Sequence, residues 1–332
     1  MLSRLTRPAA LASVALCSLA LLTACGDDAS SGVKEASGFD AVSISGPVGE
    51  EPTFDWKAAL KPGDTQDEVL EEGDGTALKD GDQLLVNFAV SDDFSRDVSY
   101  STYGDDTGAS VLTVGTDVEP QQAQDLITQL IEEHVKSGMK TGTRLAFTVD
   151  VKKEWGDTGL YLTGIDVGNE DGIAVVADLE AVPLDGPKGK SKAAPSWAPK
   201  IEQEKGDLTG LDSSAEAAPD AKATDLTKAI LVEGTGPTVE KGDEIIANYI
   251  GQVYDADKPF DLSYDDKSPA SFTIGTGAVV KGWDEGLVGV KVGSRVLLRI
   301  PPKLGYGKQG NSQAGIKGTD TLYFVIDVLA TA

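Results

Sequence analysis

The side chains of this sequence that could do chemistry are mostly aromatic, and they gather in its second half. A single histidine, His134, and two cysteines, Cys17 and Cys25, exclude Ser-His-Asp and Cys-His nucleophilic sites and zinc sites of the usual kind. No acidic cluster has the spacing of a calcium loop, so we expect neither a metal nor a cofactor. The remaining candidates are aromatic or aliphatic, with one carboxylate: Tyr249, Phe260, Asp261, Phe272, Val279, Val280, Trp283, Tyr306, Ile316 and Phe324.

The segment VVKGWDEGL, residues 279–287, places Trp283 between Gly282 and Gly286. Each glycine costs a helix interior about 0.5–1 kcal/mol relative to alanine, so the two glycines need a reason. Apolar residues at 279 or 280, at 283 and at 287 have helical spacing. The sequence therefore predicts a short helix whose glycines let it approach a sheet, with Trp283 as its main buried contact. From the residues alone, the aromatic set could equally be ordinary core.

Strands are predicted around this helix. Apolar residues alternate with polar ones at 247–251, at 296–300 and at 322–328. This period is typical of antiparallel strands that turn one face to a core. The predicted fold class is α+β, with an antiparallel sheet and a short α-helix.

The same pattern occurs twice in the chain, whose 332 residues suffice for two domains. We therefore expect two copies of one fold, over residues 40–183 and 197–332, joined by an extended linker at 184–196 that is rich in Pro, Gly and Lys. The matched segments are KDGDQLLVNFAV (79–90) with EKGDEIIANYIG (240–251), GMKTGTRLAFTV (138–149) with GVKVGSRVLLRI (289–300), and IAVVADLEA (173–181) with LYFVIDVLA (322–330).

The first residues have the features of a secretory signal, with Arg4 and Arg7 ahead of an uncharged apolar run. The following LTAC, residues 22–25, resembles the lipobox of bacterial lipoproteins, in which the cysteine carries the lipid. We expect a signal peptide over 1–24, a diacylated Cys25, a flexible tether over 25–39, and attachment to the extracytoplasmic face of the cell membrane. A secreted protein with a chance cysteine is the alternative.

The net charge of −25 argues against nucleic acid as a partner, because binding to phosphates needs clustered Lys and Arg. The motif GYGKQG at 305–310 fits G-x-G-x-x-G. It follows two prolines and opens no helix, so a dinucleotide-binding turn is not expected.

From about residue 226 to 330, the second copy resembles FKBP-type peptidyl-prolyl cis-trans isomerases. The resemblance is carried by Phe260-Asp261, by VVKGWDEG and by Tyr306-Gly307, in the order and spacing of that family. It implies an antiparallel sheet wrapped around a short helix, with a shallow pocket between them. Trp283 would form the pocket floor, and Tyr249, Phe272 and Phe324 its walls.

The resemblance also implies an activity that needs no nucleophile. Rotation about a peptide bond costs about 18–20 kcal/mol, and uncatalysed Xaa-Pro bonds isomerise in tens to hundreds of seconds. An apolar site removes the advantage that water gives to the planar amide. The Val280 N–H and the Tyr306 hydroxyl would bond substrate carbonyls, and Asp261 would lie at the pocket edge.

The second copy departs from the family in two places. Asp265 and Asp266 occupy the region where many members carry an arginine that pairs with the Asp261 position. Ala270 stands where many members carry an aromatic residue. These changes predict an altered role for Asp261 and a more open pocket rim.

The first copy lacks the residues of the second copy's site. Phe88 matches Tyr249, Ser99-Tyr100 matches Phe260-Asp261, and Glu132 falls near Trp283. Trp155 matches Tyr306, and Val175 matches Phe324. A carboxylate in place of the floor Trp opposes an apolar pocket, because burying an unpaired charge is costly. We expect the first copy to be a degenerate spacer, stabilising partner or client-binding surface.

Three functions are compatible with these sequence features. The first is a monomeric, lipid-anchored prolyl isomerase that acts on proline-containing exported polypeptides and binds FK506-like macrolides. The second is a proline-segment-binding chaperone or scaffold without catalysis, and the third is a structural or solute-binding lipoprotein. The aromatic set with Asp261 favours the isomerase.

Overall fold

The computed structural model describes residues 34–104, 108–116, 123–213, 223–264 and 269–332. The predicted signal peptide, Cys25 and the Asp265-Asp266 pair lie outside the described residues. From Lys34 to Ala332 the chain forms one unit. Its described helices are all too short or too polar to span a membrane.

The first half consists mainly of strands, with two α-helices and 3-10 helices at Gly38–Asp40 and Gly156–Ile165. Its elements are β1 (Glu35–Ala36), β2 (Val42–Ser45), β3 (Thr53–Trp56), β4 (Ala59–Leu60), β5 (Gln66–Glu71), β6 (Gln83–Asp92), β7 (Val98–Ser101), β8 (Ser110–Thr113), α1 (Ala123–His134), β9 (Thr143–Asp150), α2 (Val151–Trp155) and β10 (Gly172–Ala181).

The second half has one α-helix, and its 3-10 helices are at Pro302–Leu304 and Gly307–Gln309. Its elements are β11 (Gly189–Ser191), β12 (Lys200–Glu204), β13 (Asp207–Asp212), β14 (Thr227–Gly234), β15 (Glu244–Val253), β16 (Asp261–Leu262), β17 (Ala270–Thr273), α3 (Lys281–Leu287), β18 (Arg295–Ile300) and β19 (Leu322–Thr331).

Each half builds one large antiparallel sheet beside smaller two-stranded ones, which confirms the predicted α+β class with few helices. The first sheet has the order β5-β9-β10-β6-β7, and β8 also pairs with β6. The second has the order β14-β18-β19-β15-β16, and β17 also pairs with β15. The second sheet has a seventh strand, β11, which pairs with the outer side of β14.

The two sheets also agree in detail. β5 meets β9 with a register shift between Val69 and Glu71, and β14 meets β18 with the same shift between Ile230 and Val232. A buried ion pair recurs as well. Arg144 Nε lies 2.7 Å from an Asp178 oxygen, and the Arg295–Asp327 distance is 2.6 Å. The correspondence predicted from sequence is therefore visible in strand order, in register and in a polar pair.

One face of each sheet carries a core closed by a helix. In the second half this core combines Trp283 and Leu287 of α3 with the inner side chains of the sheet. A Cβ added to Gly282 would lie 2.6 Å from the Ile300 side chain, and one added to Gly286 would lie 2.8 Å from Leu298. The prediction that these glycines let the helix approach the strands is confirmed.

The opposite face of each sheet is partly covered by a β-hairpin. The hairpin β2–β3 carries Trp56, whose indole N–H donates to Ser91 Oγ at 2.9 Å. The hairpin β12–β13 carries Leu208 and Leu211, which are buried against the second sheet. Gln252 fixes it by bonding both the N–H and the carbonyl of Leu211.

The same face of each sheet also contacts the other half. Leu85 and Ala109 of the first half form a buried cluster with Ile246 and Ala330 of the second. Leu85 and Ile246 occupy equivalent positions in the repeat. The two halves therefore pack against each other through corresponding apolar residues.

Two segments predicted as extended or flexible take part in pairing. Within 184–196, β11 pairs with β14, and the Leu184 N–H donates to the Leu329 carbonyl. Within 25–39, β1 makes a short parallel pair with β4. Residues 184–191 are thus attached to the second sheet.

Candidate functional site

A pocket of about 490 Å³ opens between α3, the inner face of the second sheet and the loop after β18. Nine of the ten residues in the predicted pocket set line it, together with four others that the sequence did not single out. The nine are Tyr249, Phe260, Asp261, Phe272, Val279, Val280, Trp283, Tyr306 and Phe324, and the four are Gly277, Ala278, Lys281 and Gly305. The chain thus brings segments from 249 to 324 to one concave surface.

Trp283 lies at the base of the pocket and is only 3% exposed. Its ring centre lies 4.9 Å from Phe272, 5.4 Å from Tyr249 and 5.4 Å from Phe324, each in an edge-to-face arrangement. Such aromatic pairs favour edge-to-face geometry because ring edges are positive and ring faces negative. Three strands therefore fix the indole plane, and packing alone holds it, since its N–H has no acceptor among the described residues.

The polar side chains in the predicted set are two tyrosines and one carboxylate, and Lys281 adds a cation to the lining. The Tyr249 hydroxyl donates to Asp261 Oδ2 at 2.8 Å. Burial, reinforced by this carboxylate, raises the pKa of Tyr249, and burial with the charge of Asp261 also raises the pKa of Tyr306. Both hydroxyls are therefore protonated donors at neutral pH. Tyr249 is the partner that the sequence did not identify for Asp261.

Gly251, which the sequence did not assign to the site, lies against two aromatic residues of the pocket wall. Phe260 and Phe324 meet edge-to-face at 5.6 Å beside it. A Cβ on Gly251 would lie 2.6 Å from Phe324 and 2.8 Å from Phe260. The signal was available, because a glycine inside a strand marks a close approach.

Asp284 fixes the loop that forms one rim of the pocket. Its two carboxylate oxygens accept from the Gly275 N–H at 2.7 Å and from the Gly277 N–H at 3.1 Å. The rim continues through Val279 and Val280 into α3. Among the described residues, no hydrogen bond from the Val280 N–H is found.

Ile316 does not line the pocket. It is buried in the second core, where its backbone pairs with Asn311 in the loop after the 3-10 helices. Its side chain lies in the same buried cluster as Trp283 and Phe324. The structure thus separates Ile316 from the other nine residues of the predicted set.

The first half fills the corresponding space with side chains. Val90 stands at the position of Gly251, and Tyr100, at the position of Asp261, stacks on Phe88 at 5.5 Å. The long 3-10 helix after α2 buries Leu162 in the core. The first half thus has aliphatic and aromatic core side chains where the second half has its pocket.

The site is an apolar pocket with aromatic walls, protonated hydroxyl donors and no nucleophile, as expected of a site for an apolar ring. A sequence model of the family described as FKBP-type peptidyl-prolyl cis-trans isomerase matches residues 236–329. An FK506-binding protein of Streptomyces anulatus is 38% identical over 106 residues, which cover 32% of this chain and 86% of that protein.

Further relatives agree. An FK506-binding protein of Neisseria meningitidis serogroup A is 41% identical over 99 residues, covering 30% of this chain and 89% of that protein. FK506-binding protein 2B of Rhizopus delemar is 44% identical over 88 residues, covering 26% of this chain and 42% of that protein. The chain belongs to the FKBP-type peptidyl-prolyl cis-trans isomerase family, and the predicted enzyme class is confirmed.

Proposed function

We propose that the pocket around Trp283 is the isomerase site and that it binds the proline ring of a polypeptide against the indole. The proposal rests on one observation: three aromatic rings fix Trp283 at the base of the pocket. The rigid floor holds the ring of proline while the preceding peptide bond rotates.

The pocket lowers the barrier by replacing water around the amide. The planar amide is the more polar form, so water favours it over the twisted form. Moving the bond into an apolar site removes that preference, and each 1.4 kcal/mol gained accelerates rotation about tenfold. The walls made by Phe260, Phe272 and Phe324 exclude water from the rotating bond.

Polar groups at the rim orient the substrate. The Tyr306 hydroxyl and the Val280 N–H are donors for carbonyls on either side of the rotating bond. Asp261 holds the Tyr249 hydroxyl at 2.8 Å, which keeps that ring against Trp283. In this arrangement Asp261 acts through Tyr249, in place of the arginine partner common in the family.

Trp283→Ala tests the proposal in the full chain. Trp283 is only 3% exposed, so its removal should cost about 3–5 kcal/mol of stability, and the variant that remains folded should have much weaker isomerase activity. The measurement is isomerisation of a short Xaa-Pro peptide, with circular dichroism as the folding control. Turnover at the wild-type rate would assign Trp283 to the core and the site elsewhere.

We further propose that the two halves are tandem FKBP-like domains and that the second alone catalyses. The repeated strand order and register support the tandem arrangement. The side chains of Val90 and Leu162, which are fully buried in the first core, support the loss of its pocket. The loss of activity in Trp283→Ala described above also bears on this assignment, because an active first domain would leave turnover behind.

We also propose that the protein is a monomer held at the extracytoplasmic face of the cell membrane by lipid on Cys25, acting on exported polypeptides. The motif LTAC supports the anchor. Two acyl chains anchor stably where one is marginal. Cys25→Ser should move the protein to the soluble fraction, and a variant still membrane-bound at high salt would point to another anchor.

A macrolide of the FK506 type is expected to occupy the same pocket. The names of the relatives from Streptomyces and Neisseria include binding of that compound. Such ligands present a proline-like ring, for which Trp283 offers the floor. The alternative function, a chaperone without catalysis, would retain this binding and show no turnover.

A further inference from the structure

The outer edge of the second sheet is occupied by the chain itself. β11 pairs with β14 through Gly189 opposite Gly234, Lys190 opposite Glu233 and Ser191 opposite Val232. The Lys192 N–H donates to the Leu231 carbonyl at 2.8 Å, and its ammonium lies 3.0 Å from Glu233. The molecule thus contains one example of an extended, lysine-bearing strand bound to this edge.

An apolar residue precedes that strand. Leu184, five positions before Gly189, packs against the second core, and the Lys188 N–H donates to the Gly293 carbonyl. The bound segment therefore contributes a leucine anchor, backbone pairing and three lysines. Together these features describe what the edge recognises.

The equivalent edge of the first sheet is open within the described part of the chain. There β5 pairs with β9 alone, and all six of its residues are exposed. Leu70 is 38% exposed, whereas Leu231 at the matching position is 8% exposed. Val69, at 44% exposure, is another large apolar residue left uncovered.

A groove of about 330 Å³ lies beside this open edge. Val69, Gly73 and Met139 contribute to its lining. A Cβ added to Gly293 would lie 2.5 Å from the Lys188 carbonyl oxygen of the bound segment. A Cβ added to Gly142, at the matching position, would have only Gly73 and Asp74 nearby. The space that the chain fills in the second half is therefore left free by the described residues in the first.

The open edge is more acidic than the occupied one. Glu68, Glu71 and Glu72 stand where the second sheet has Ala229, Val232 and Glu233. Lys140 lines the groove and would repel a basic segment. Its counterpart in the second half, Lys291, lies near Glu233, and Lys190 and Lys192 nevertheless bind at that edge. The charge favours a basic segment.

We propose that β5 binds an extended, lysine-bearing segment of a partner polypeptide by strand addition, with an aliphatic side chain of that segment in the adjoining groove. Main-chain hydrogen bonds to an exposed sheet edge supply affinity in this mode, and side-chain pockets supply selectivity. The first half then holds an unfolded polypeptide whose prolines are presented to the second half. The binding itself does not depend on the proposed isomerase site.

A charged edge strand also serves as protection against aggregation, and this is the competing explanation. The two are separated with a labelled peptide copying residues 184–192, in which Pro187 is replaced by alanine: LDGAKGKSK. Without proline, this peptide cannot report on the isomerase pocket. Fluorescence anisotropy with the full chain should show saturable binding that weakens as salt is raised.

Two changes locate the binding. Glu71→Lys with Glu72→Lys should weaken it by about tenfold or more and leave isomerase activity unchanged, because neither residue lies at the pocket. The matched control reverses two exposed charges elsewhere, Glu202→Lys with Glu204→Lys on β12, and should leave binding unchanged. Equal loss in both variants would reduce the effect to net charge and overturn the proposal.

A change in the peptide tests strand pairing. N-methylation at the positions of Lys190 and Lys192 removes two backbone donors, including the one bonded to Leu231 in the second sheet, and keeps both charges. We expect binding to be lost. Unchanged affinity of the methylated peptide, or no binding of the parent peptide, would leave β5 as a protected edge only.

Discussion

The second half has Gly251 where the first half has Val90. The missing side chain leaves room for the aromatic pair of the open pocket, whereas the valine fills the first core. Substituting the first half's residue, Gly251→Val, would place a Cβ 2.6 Å from Phe324 and displace the aromatic pair. We expect kcat/KM for an Xaa-Pro peptide to fall at least tenfold and stability to fall by about 1–3 kcal/mol, the usual cost of overpacking.

The matched control is Val90→Gly, which should destabilise the first half without changing turnover. Activity unaffected by Gly251→Val would show that the aromatic pair is dispensable for the site.

At this scale the aromatic residues singled out from the sequence, whose types and spacing resemble a known family, line one pocket. It did not predict how Asp261 is satisfied, since the Tyr249 hydroxyl reaches it across paired strands rather than along the chain. Ile316 was predicted as lining because its loop has the right sequence position. In the structure its side chain is buried in the second core.

At the scale of elements, α3 shows tertiary contact overriding local propensity. Its glycines lower the stability of the helix, but they allow it to approach the sheet closely. Gly286 lies against Leu298 of β18. Gly286→Ala should therefore destabilise the full chain by about 1–3 kcal/mol despite alanine's higher helix propensity. Urea unfolding followed by tryptophan fluorescence measures this.

Glu285→Ala on the exposed side of the same helix is the comparison, and its stability should change by less than about 0.5 kcal/mol. Greater stability in Gly286→Ala would mean that α3 is free to move away from the sheet.

Strands and the central helix could be predicted from periodicity, whereas the hairpins and the edge strand β11 could not. The hairpin β12–β13 is held by Gln252, about forty residues further along, and the sequence carries no local signal for that contact. Residues 184–191 have a linker composition, and 189–191 form a strand because β14 offers an unpaired edge. Such long-range contacts depend on the assembled sheet.

At the scale of the whole molecule, the contact between the halves determines how the chain can be divided. Ile246 and Ala330 of the second half are buried against Leu85 and Ala109 of the first. β11 belongs to the second sheet although it precedes the predicted domain start at 197. Fragments of the second half that begin at 184 or at 197 both expose the apolar patch around Ile246. The one that begins at 197 also loses the edge strand β11, whereas the one that begins at 184 keeps it.

We expect fragment 184–332 to unfold at a higher urea concentration than fragment 197–332, and to retain the isomerase activity of the full chain. Because both expose Ile246, both should self-associate at high concentration, and Ile246→Thr should return them to monomers by removing apolar area from the patch. Sedimentation velocity and the Xaa-Pro peptide assay measure the two properties.

Fragment 34–183, which carries the filled core, should show no turnover on the same peptide. Equal stability of the two longer fragments would mean that β11 contributes nothing to the second half, and turnover by 34–183 would mean that its core opens to proline.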